Sequence, residues 1–596
     1  MRISIFQIIR YHSKINLVLN FIIFCFIFPH IFYNLNNILS SFIGFIILFA
    51  WFSNIVLLYL VDRFLIKGRN NKTKLNKTSY RFLLSFSSCI FLIIASLILS
   101  NLIVTGTSFI IGITISYLFQ IIGFLIISIS GIKLSYEVII FTCNKKKSKE
   151  TINPININSI RKKIVKSICY FINGIGIYSV IVLLVPIEFF SPELAIVIPQ
   201  ISLFLIFIFI LNTLIILKLT PRSYDDTKKS KFSFLRIKSI AKRKHFRQGI
   251  LVMGILLSFI FSLPILSTPF SIIHAENEFR DVYGDNWRNF IPSNISRFFL
   301  ESQFNIYNYF MGIPHKDCNI ELDILYYEKN DTKLYLDVYY PKVSGESLPG
   351  NNSIIIKIHG GAWKVGDKGT GNTPIISKYL ANQGYVVFDI QYGLMEFQNG
   401  GLDLTPEYVQ GNFTLHDMVY QIGNFTKQLE TTYASEYNGN LDSVFIMGGS
   451  AGGHLTSVIG LGYNDPYFSG NFSNAIKLKG IIPLYPPNSA EHYFNRFEFK
   501  DLIPGDPTTN PLAFKKFTPS NLVSLNDPPA LIFQGTQDRL VPPINSEQIE
   551  KAIEGIGNDC IRLIFYFATH CNDMITNNNF AQIWLYYLER FLFLNR

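Results

Sequence analysis

One serine, one aspartate and one histidine stand where an acyl-transfer enzyme needs them. Ser450 lies in the run Gly448-Gly449-Ser450-Ala451-Gly452-Gly453, between an apolar β-type stretch at 443–447 and a helix-like stretch at 454–459. A strand, a sharp turn with serine at its apex and a helix expose a hydroxyl as a nucleophile. Gly448 and Gly452 flank the serine because a side chain there would clash in so tight a turn. Asp538 lies in the polar turn that follows an apolar strand at 530–533, and His570 follows the strand at 561–567. In such a trio the histidine takes the serine proton, and the aspartate fixes its tautomer and stabilises the imidazolium.

A fourth segment supplies electrophilic help. The strand at 354–358 runs into His359-Gly360-Gly361-Ala362-Trp363. Glycines after a strand let the backbone turn its N–H groups toward one point, so Gly360, Gly361 and Ala451 are the expected oxyanion donors. His359 is expected to shape that loop, not to move protons. The chain order Ser450, Asp538, His570 is that of the α/β-hydrolases. His454 reads as a packed or capping histidine, and His416 and His492 read as surface residues. Glu547 and Asp573 are weaker acids for the trio, because neither directly follows a strand.

These residues resemble, as a set, the carboxylesterases related to hormone-sensitive lipase. The set comprises Leu336-Asp337-Val338-Tyr339-Tyr340-Pro341, then His359 to Trp363 with Gly366-Asp367-Lys368, then Gly448 to Leu455. The subgroup that includes feruloyl-type esterases and kynurenine formamidases is the most similar. The resemblance runs from about 320 to 593. It implies hydrolysis of carboxylic esters, sometimes amides, with no metal or organic cofactor. Two departures are visible: Ala362 stands where a third glycine is usual, and Cys571-Asn572 follow the histidine where glycine and an aromatic are common.

The elements that must carry these residues alternate. Strands are expected near 353–358, 384–391, 443–447, 478–483, 529–533 and 561–567. Helices are expected near 373–382, 414–430, 453–461, 544–555 and 577–592. Such alternation implies a mainly parallel sheet covered by helices, opened by a hairpin at 321–327 and 333–339. The proline-rich stretch 485–527 reads as a cap-like insert, with Tyr485, Tyr493, Phe494, Phe497 and Phe499 as pocket or core aromatics.

The first half is different. Apolar runs near 15–32, 39–60, 82–104, 109–130, 164–186, 194–217 and 250–272 each approach the roughly 20 residues a bilayer core requires. The organisation expected is a transmembrane all-α domain of about seven helices at 1–273, a connecting arm at 274–319 and an α/β-hydrolase domain at 320–596. The arm is expected to pack on the catalytic domain or lie at the membrane interface. Up to residue 274 the chain holds 30 basic and 7 acidic residues; beyond it, 23 basic and 34 acidic. The basic residues crowd 62–81, 133–166 and 218–247, whereas 34–38, 105–108 and 187–193 have no Lys or Arg. The positive-inside rule then puts the N-terminus in the cytoplasm and the catalytic domain outside it. The basic excess is thus accounted for without nucleic acid; membrane lipids and a small-molecule or lipid ester are the expected partners.

No Asp, Glu, Lys or Arg occupies the centre of a span. Gln120, Asn173, Gln200 and Asn212 are expected to join helices, with Gly174 and Gly176 allowing close approach. Cys560 and Cys571 bracket a strand, roughly 30 Å of extended chain apart, so no disulfide is expected between them. No metal-ligand spacing is present. A membrane-anchored serine carboxylesterase is the leading reading. An acyltransferase using the same acyl-enzyme, or a transporter or sensor with a ligand-binding hydrolase-like domain, are the alternatives.

Overall fold

The computed structural model describes residues 4–27, 37–65, 74–102, 109–143, 159–184, 192–220, 233–313, 316–329, 332–370, 373–396, 405–494 and 498–596. The chain divides into two compact units. A helical unit comprises Met1–Ser100, Ile111–Leu266 and Asn305–Gly312; a sheet-containing unit comprises Asn101–Ile110, Ser267–Phe304 and Ile313–Arg596.

The helical unit contains α1 (Ile5–Ile27), α2 (Asn37–Leu60), α3 (Lys74–Leu102), α4 (Phe109–Cys143), α5 (Ser159–Leu184), α6 (Pro192–Gln200), α7 (Ser202–Leu219), α8 (Ser233–Ile260) and α9 (Leu263–Leu266). Six helices among the described residues are long and apolar enough to cross a membrane. The run expected as one span at 194–217 is two helices, because Pro199 removes a backbone donor and the chain breaks at Ile201. The run expected at 250–272 is divided too: α8 ends at Ile260, and the residues after Leu266 belong to the other unit. The expected boundary at 273/274 therefore falls inside α10 (Thr268–Tyr283). Apolar residues such as Phe270 and Ile273, which lie in α10, prolong the hydrophobic run of the sequence past the end of α8.

The bundle is centred on Trp51, whose ring lies 5.4 Å from Phe86, 5.5 Å from Phe124 and 5.0 Å from Phe207. Polar side chains join helices where water is excluded. Asn16 donates to Asn54 Oδ1 at 2.8 Å and to Ser135 Oγ at 2.9 Å. Asn212 donates to Asn173 Oδ1 at 2.6 Å, as expected of that pair. Gly176 abuts the Phe209 ring, whereas Gly174 faces open space and allows no close approach. Charges collect at the helix ends: Lys74 pairs with Glu137 at 2.7 Å, and Lys218 donates to Ser79 at 2.8 Å. Most residues of the connections without Lys or Arg lie outside the described residues, as do many of the basic ones.

After α10 come α11 (Ser293–Ser296) and α12 (Ile306–Met311). The arm is shared between the units. α10 and the following turn pack on the sheet-containing unit: Phe279 lies 5.0 Å from Trp287 and 4.7 Å from Tyr587. Glu276 accepts from Arg288 at 2.5 and 2.6 Å and from Tyr587 at 3.1 Å. By contrast α12 is part of the helical unit. Phe310 meets Trp51 at 5.4 Å, Tyr309 donates its hydroxyl to Gln200 O at 2.9 Å, and Asn305 donates to Ser40 at 2.9 Å.

The second unit is built on β1 (Asn319–Lys329), β2 (Thr332–Tyr340), β3 (Ser353–Ile358), β4 (Val386–Ile390), β7 (Asn440–Gly449), β8 (Leu478–Leu484), β9 (Ala530–Gly535) and β10 (Cys560–Phe565); β5 (Leu394–Met395) and β6 (Gln410–Gly411) form a separate pair. The eight-stranded order is β1-β2-β4-β3-β7-β8-β9-β10. β1 and β2 run antiparallel, as does the β2–β4 pair, and every pair from β4 to β10 is parallel. The central strands carry near-continuous apolar runs because helices cover both faces. The helices of this part of the chain are α13 (Thr373–Asn382), α14 (Leu415–Gln428), α15 (Ala434–Glu436), α16 (Ala451–Gly462), α17 (Ala490–Phe494), α18 (Pro511–Lys516), α19 (Ile544–Gly555) and α20 (Asn579–Asn595). The parallel strands all point their C-terminal ends to one edge, where ligands of such sheets bind.

Candidate active site

Ser450 stands between β7 and α16 with φ 56° and ψ −118°, a conformation few L-residues adopt. Its amide donates to Leu484 O at 2.9 Å. The flanking glycines are steric necessities. A Cβ at Gly448 would lie 2.5 Å from Gly452 O, and one at Gly452 would lie 2.2 Å from Ile358 O. α16 opens immediately after the serine, so its N-terminal amides and dipole face the same side.

His570 follows β10 by one short turn. Its Nε2 is 2.9 Å from Ser450 Oγ, and its Nδ1 is 2.7 Å from Asp538 Oδ2. Asp538 also accepts from the amides of Leu540 at 3.0 Å and Val541 at 2.8 Å, which aim its second oxygen away from the imidazole. His570 and Asp538 are buried. Burial alone would lower the histidine pKa, but Asp538 and Cys571 outweigh it and hold the imidazole well above its ordinary value.

The loop after β3 closes over the elbow. A Cβ at Gly360 would meet Gly449 O at 2.7 Å and Ser450 Cβ at 3.4 Å, so only glycine permits this approach. Gly361, Ala362 and Trp363 all have left-handed φ. His359 stacks on Tyr392, with ring centroids 4.3 Å apart, and its Nδ1 is 2.8 Å from Gly360 O. Burial pushes its pKa down to about 4, so it shapes the loop as a neutral ring. His454 is likewise buried, with Nε2 2.8 Å from Phe517 O and a pKa pushed down to about 4. His492 is exposed. His416 is not the simple surface residue expected: it is half-buried against Phe517 and 2.9 Å from the Tyr467 hydroxyl. Glu547 pairs with Lys551 on α19 at 2.5 Å.

A buried charge row underlies the loop. Across three neighbouring strands Asp337 lies opposite Asp389, and Asp389 opposite Lys357. Lys368 reaches Asp337 at 2.8 Å and Asp323 at 2.6 Å, while Gly369 donates to Asp389 at 2.6 Å. Gln391 donates to Asp367 at 2.6 Å. Burial pushes Asp389 up to about 7 and Lys357 down to about 8, each opposed by the other's charge. The tie between Asp337 and Lys368 was not foreseen. Its signal was a carboxylate and an ammonium in two segments of one motif set. Of the insert aromatics, Phe494 and Phe499 pack on Trp363 at 4.9 and 5.7 Å, and Tyr485 lies against His570. Phe497 lies outside the described residues. Among the described residues no cluster could hold a metal ion, and the cysteines form no disulfide.

The sheet order and the strand–turn–helix elbow give this unit an α/β-hydrolase-like fold. Two family models match it: one described as BD-FAE over residues 421–553 and one described as Carboxylesterase family over residues 311–486. A probable carboxylic ester hydrolase, LipM of Mycobacterium tuberculosis, is 28% identical over 203 residues, covering 33% of this chain and 43% of the relative. The probable isoprenylcysteine alpha-carbonyl methylesterase ICMEL1 of Arabidopsis thaliana is 22% identical over 256 residues, 39% of this chain and 48% of the relative. The chain thus spans about half the length of the curated relatives it matches. Among solved structures, an inhibited esterase B from Lactobacillus rhamnosis aligns over 47% of this chain and 87% of its own, at 19% identity and a TM-score of 0.37.

Proposed function

We propose that this protein is a membrane-anchored serine carboxylesterase that works through an acyl-enzyme on the extracytoplasmic side. The observation that carries the reading is the continuous hydrogen-bonded relay from Ser450 through His570 to Asp538. In the acylation step Ser450 Oγ bonds to the ester carbonyl carbon while its proton passes to His570 Nε2. The carbonyl oxygen, now an oxyanion, faces the N–H groups of Gly360, Gly361 and Ala451. The C–O bond to the alcohol then breaks, and His570 returns its proton to the departing alkoxide. Water, deprotonated by the same Nε2, attacks the acyl carbon; the bond from that carbon to Ser450 Oγ then breaks while Nε2 returns the proton to Oγ, releasing the acid and free Ser450. Asp538 keeps Nδ1 protonated throughout.

The substrate reading is an ester with an apolar portion, drawn from or near a bilayer. Its supports are the apolar helices preceding the catalytic unit and the aromatic wall of Trp363, Phe494 and Phe499 beside the oxyanion loop. The topology reading is seven crossings with a cytoplasmic N-terminus, α8 being the seventh. A reporter fused after Arg596 tests it: alkaline phosphatase there is active, and a fluorescent protein that matures only in the cytoplasm stays dark. The reverse pattern overturns the orientation. For the chemistry, Ser450→Ala in the full-length chain abolishes hydrolysis of a p-nitrophenyl ester and labelling by a fluorophosphonate. Retained turnover would remove Ser450 from its role.

A further inference from the structure

A second pair of side chains, Tyr485 and Asp573, lies beside the histidine. Tyr485 is the first residue after β8, with φ +40°. An aromatic residue in the left-handed region is strained, and such strain persists where the surroundings over-determine it. Here they do. The Tyr485 amide donates to Phe533 O at 2.7 Å. Its ring meets the His570 imidazole with centroids 4.6 Å apart at 61°, and Phe533 at 5.8 Å. Its hydroxyl donates to Asp573 Oδ1 at 2.9 Å. That hydroxyl also lies under the elbow, where a Cβ on Gly449 would be 2.7 Å from it. Both Tyr485 and Asp573 are buried.

We infer that Tyr485 and Asp573 are positioning residues for His570: Asp573 anchors the phenol, and the phenol ring fixes the imidazole plane so that Nε2 faces Ser450. The inference rests on the reading of Ser450, His570 and Asp538 given above. Asp538 fixes one nitrogen but leaves the ring free to swing about that hydrogen bond. The Tyr485 ring blocks the swing. Asp573 has a second effect, because its carboxylate adds negative charge near the imidazolium formed in each step. The groups around it are Tyr485 from the end of β8, His570 from its own loop and Lys357 from β3; all three favour the charged form, while burial opposes it. The groups around His570 are Asp538, Ser450, Tyr485, Cys571 and Asp573.

The test uses the full-length protein in detergent, with active sites counted by fluorophosphonate so that only folded enzyme enters the rate. Tyr485→Phe keeps the ring and loses the anchor; Asp573→Asn keeps the shape and loses the charge; Tyr485→Leu loses the ring. A misplaced catalytic group costs up to about a hundredfold. Expected is a fall in kcat of about tenfold or more in the first two, a larger fall in Tyr485→Leu, and KM within about twofold throughout. In Asp573→Asn the acid limb of kcat/KM also moves to lower pH, since the imidazolium has lost a stabilising charge. Wild-type kcat per counted site in Tyr485→Phe and Asp573→Asn, an unmoved limb, or an effect on KM alone would overturn the inference. A Ser450→Ala control with retained turnover would instead overturn the underlying triad.

Discussion

Ser450 occupies its backbone conformation because glycines surround it and because the amide of the serine is tied to β8. The steric argument separates two glycines that look alike in sequence. Gly452→Ala drives a Cβ onto two backbone carbonyls, Ile358 O and His359 O, which cannot move independently of the sheet. It is expected to cost about 1–3 kcal/mol and to reduce turnover sharply. Gly555→Ala, at the end of α19 with nothing within 4 Å, is expected to be neutral or stabilising by up to about 1 kcal/mol. Thermal unfolding in detergent distinguishes the two. The histidine gives a pH prediction with a definite sign. Asp538 raises the pKa of His570 and turnover needs the neutral ring, so activity is lost as pH falls through that raised value. Asp538→Asn is expected to lower kcat by on the order of 10³–10⁴ and to move the remaining acid limb downward. A pH–rate profile reads both.

At the scale of the element, the loop after β3 is held by charge as much as by its glycines. Lys368 is buried with Asp337 at the β2–β4 junction, and burial, which lowers its pKa, is outweighed by the carboxylates. Lys368→Met leaves the Asp337 charge without its buried cation and is expected to destabilise by about 3–5 kcal/mol. The double variant Lys368→Met with Asp337→Asn is expected to lose clearly less than the sum of the two single changes, which a thermal double-mutant cycle measures. The elements themselves were legible where local pattern decides them. The amphipathic stretches 373–382 and 544–555 are helices over those very residues, and the strand from 353 to 358 is read correctly, because each carries its own period and stop signals. The geometry of the Ser450 relay was partly legible, since strand ends announce themselves in sequence. What could not be read were ties between distant segments. Asp573 was weighed only as a substitute for Asp538, and nothing local pairs it with Tyr485.

At the scale of the whole molecule, the passage of the arm was the least legible feature. The stretch Ile306–Met311 looks like any aromatic turn of a linker. Its place in the helical unit depends on Trp51, Phe124 and Phe204, each about a hundred or more residues away in sequence. Phe310→Ala is expected to cost about 3–5 kcal/mol of helical-unit stability, read as a lower melting temperature of the full chain, while kcat per counted active site is unchanged. The arm also bears on how the enzyme can be cut. A fragment starting at Ser267, cut to leave out the apolar helices, would carry Ile306, Tyr307, Tyr309, Phe310 and Met311 bare, a sticky tab torn from its socket. A fragment starting at Ile313 would drop that tab but strip Phe279 and Trp287 from Tyr587, leaving the last helix of the sheet unit uncovered. The chain passes between the two units more than once, so neither can be released intact by one cut.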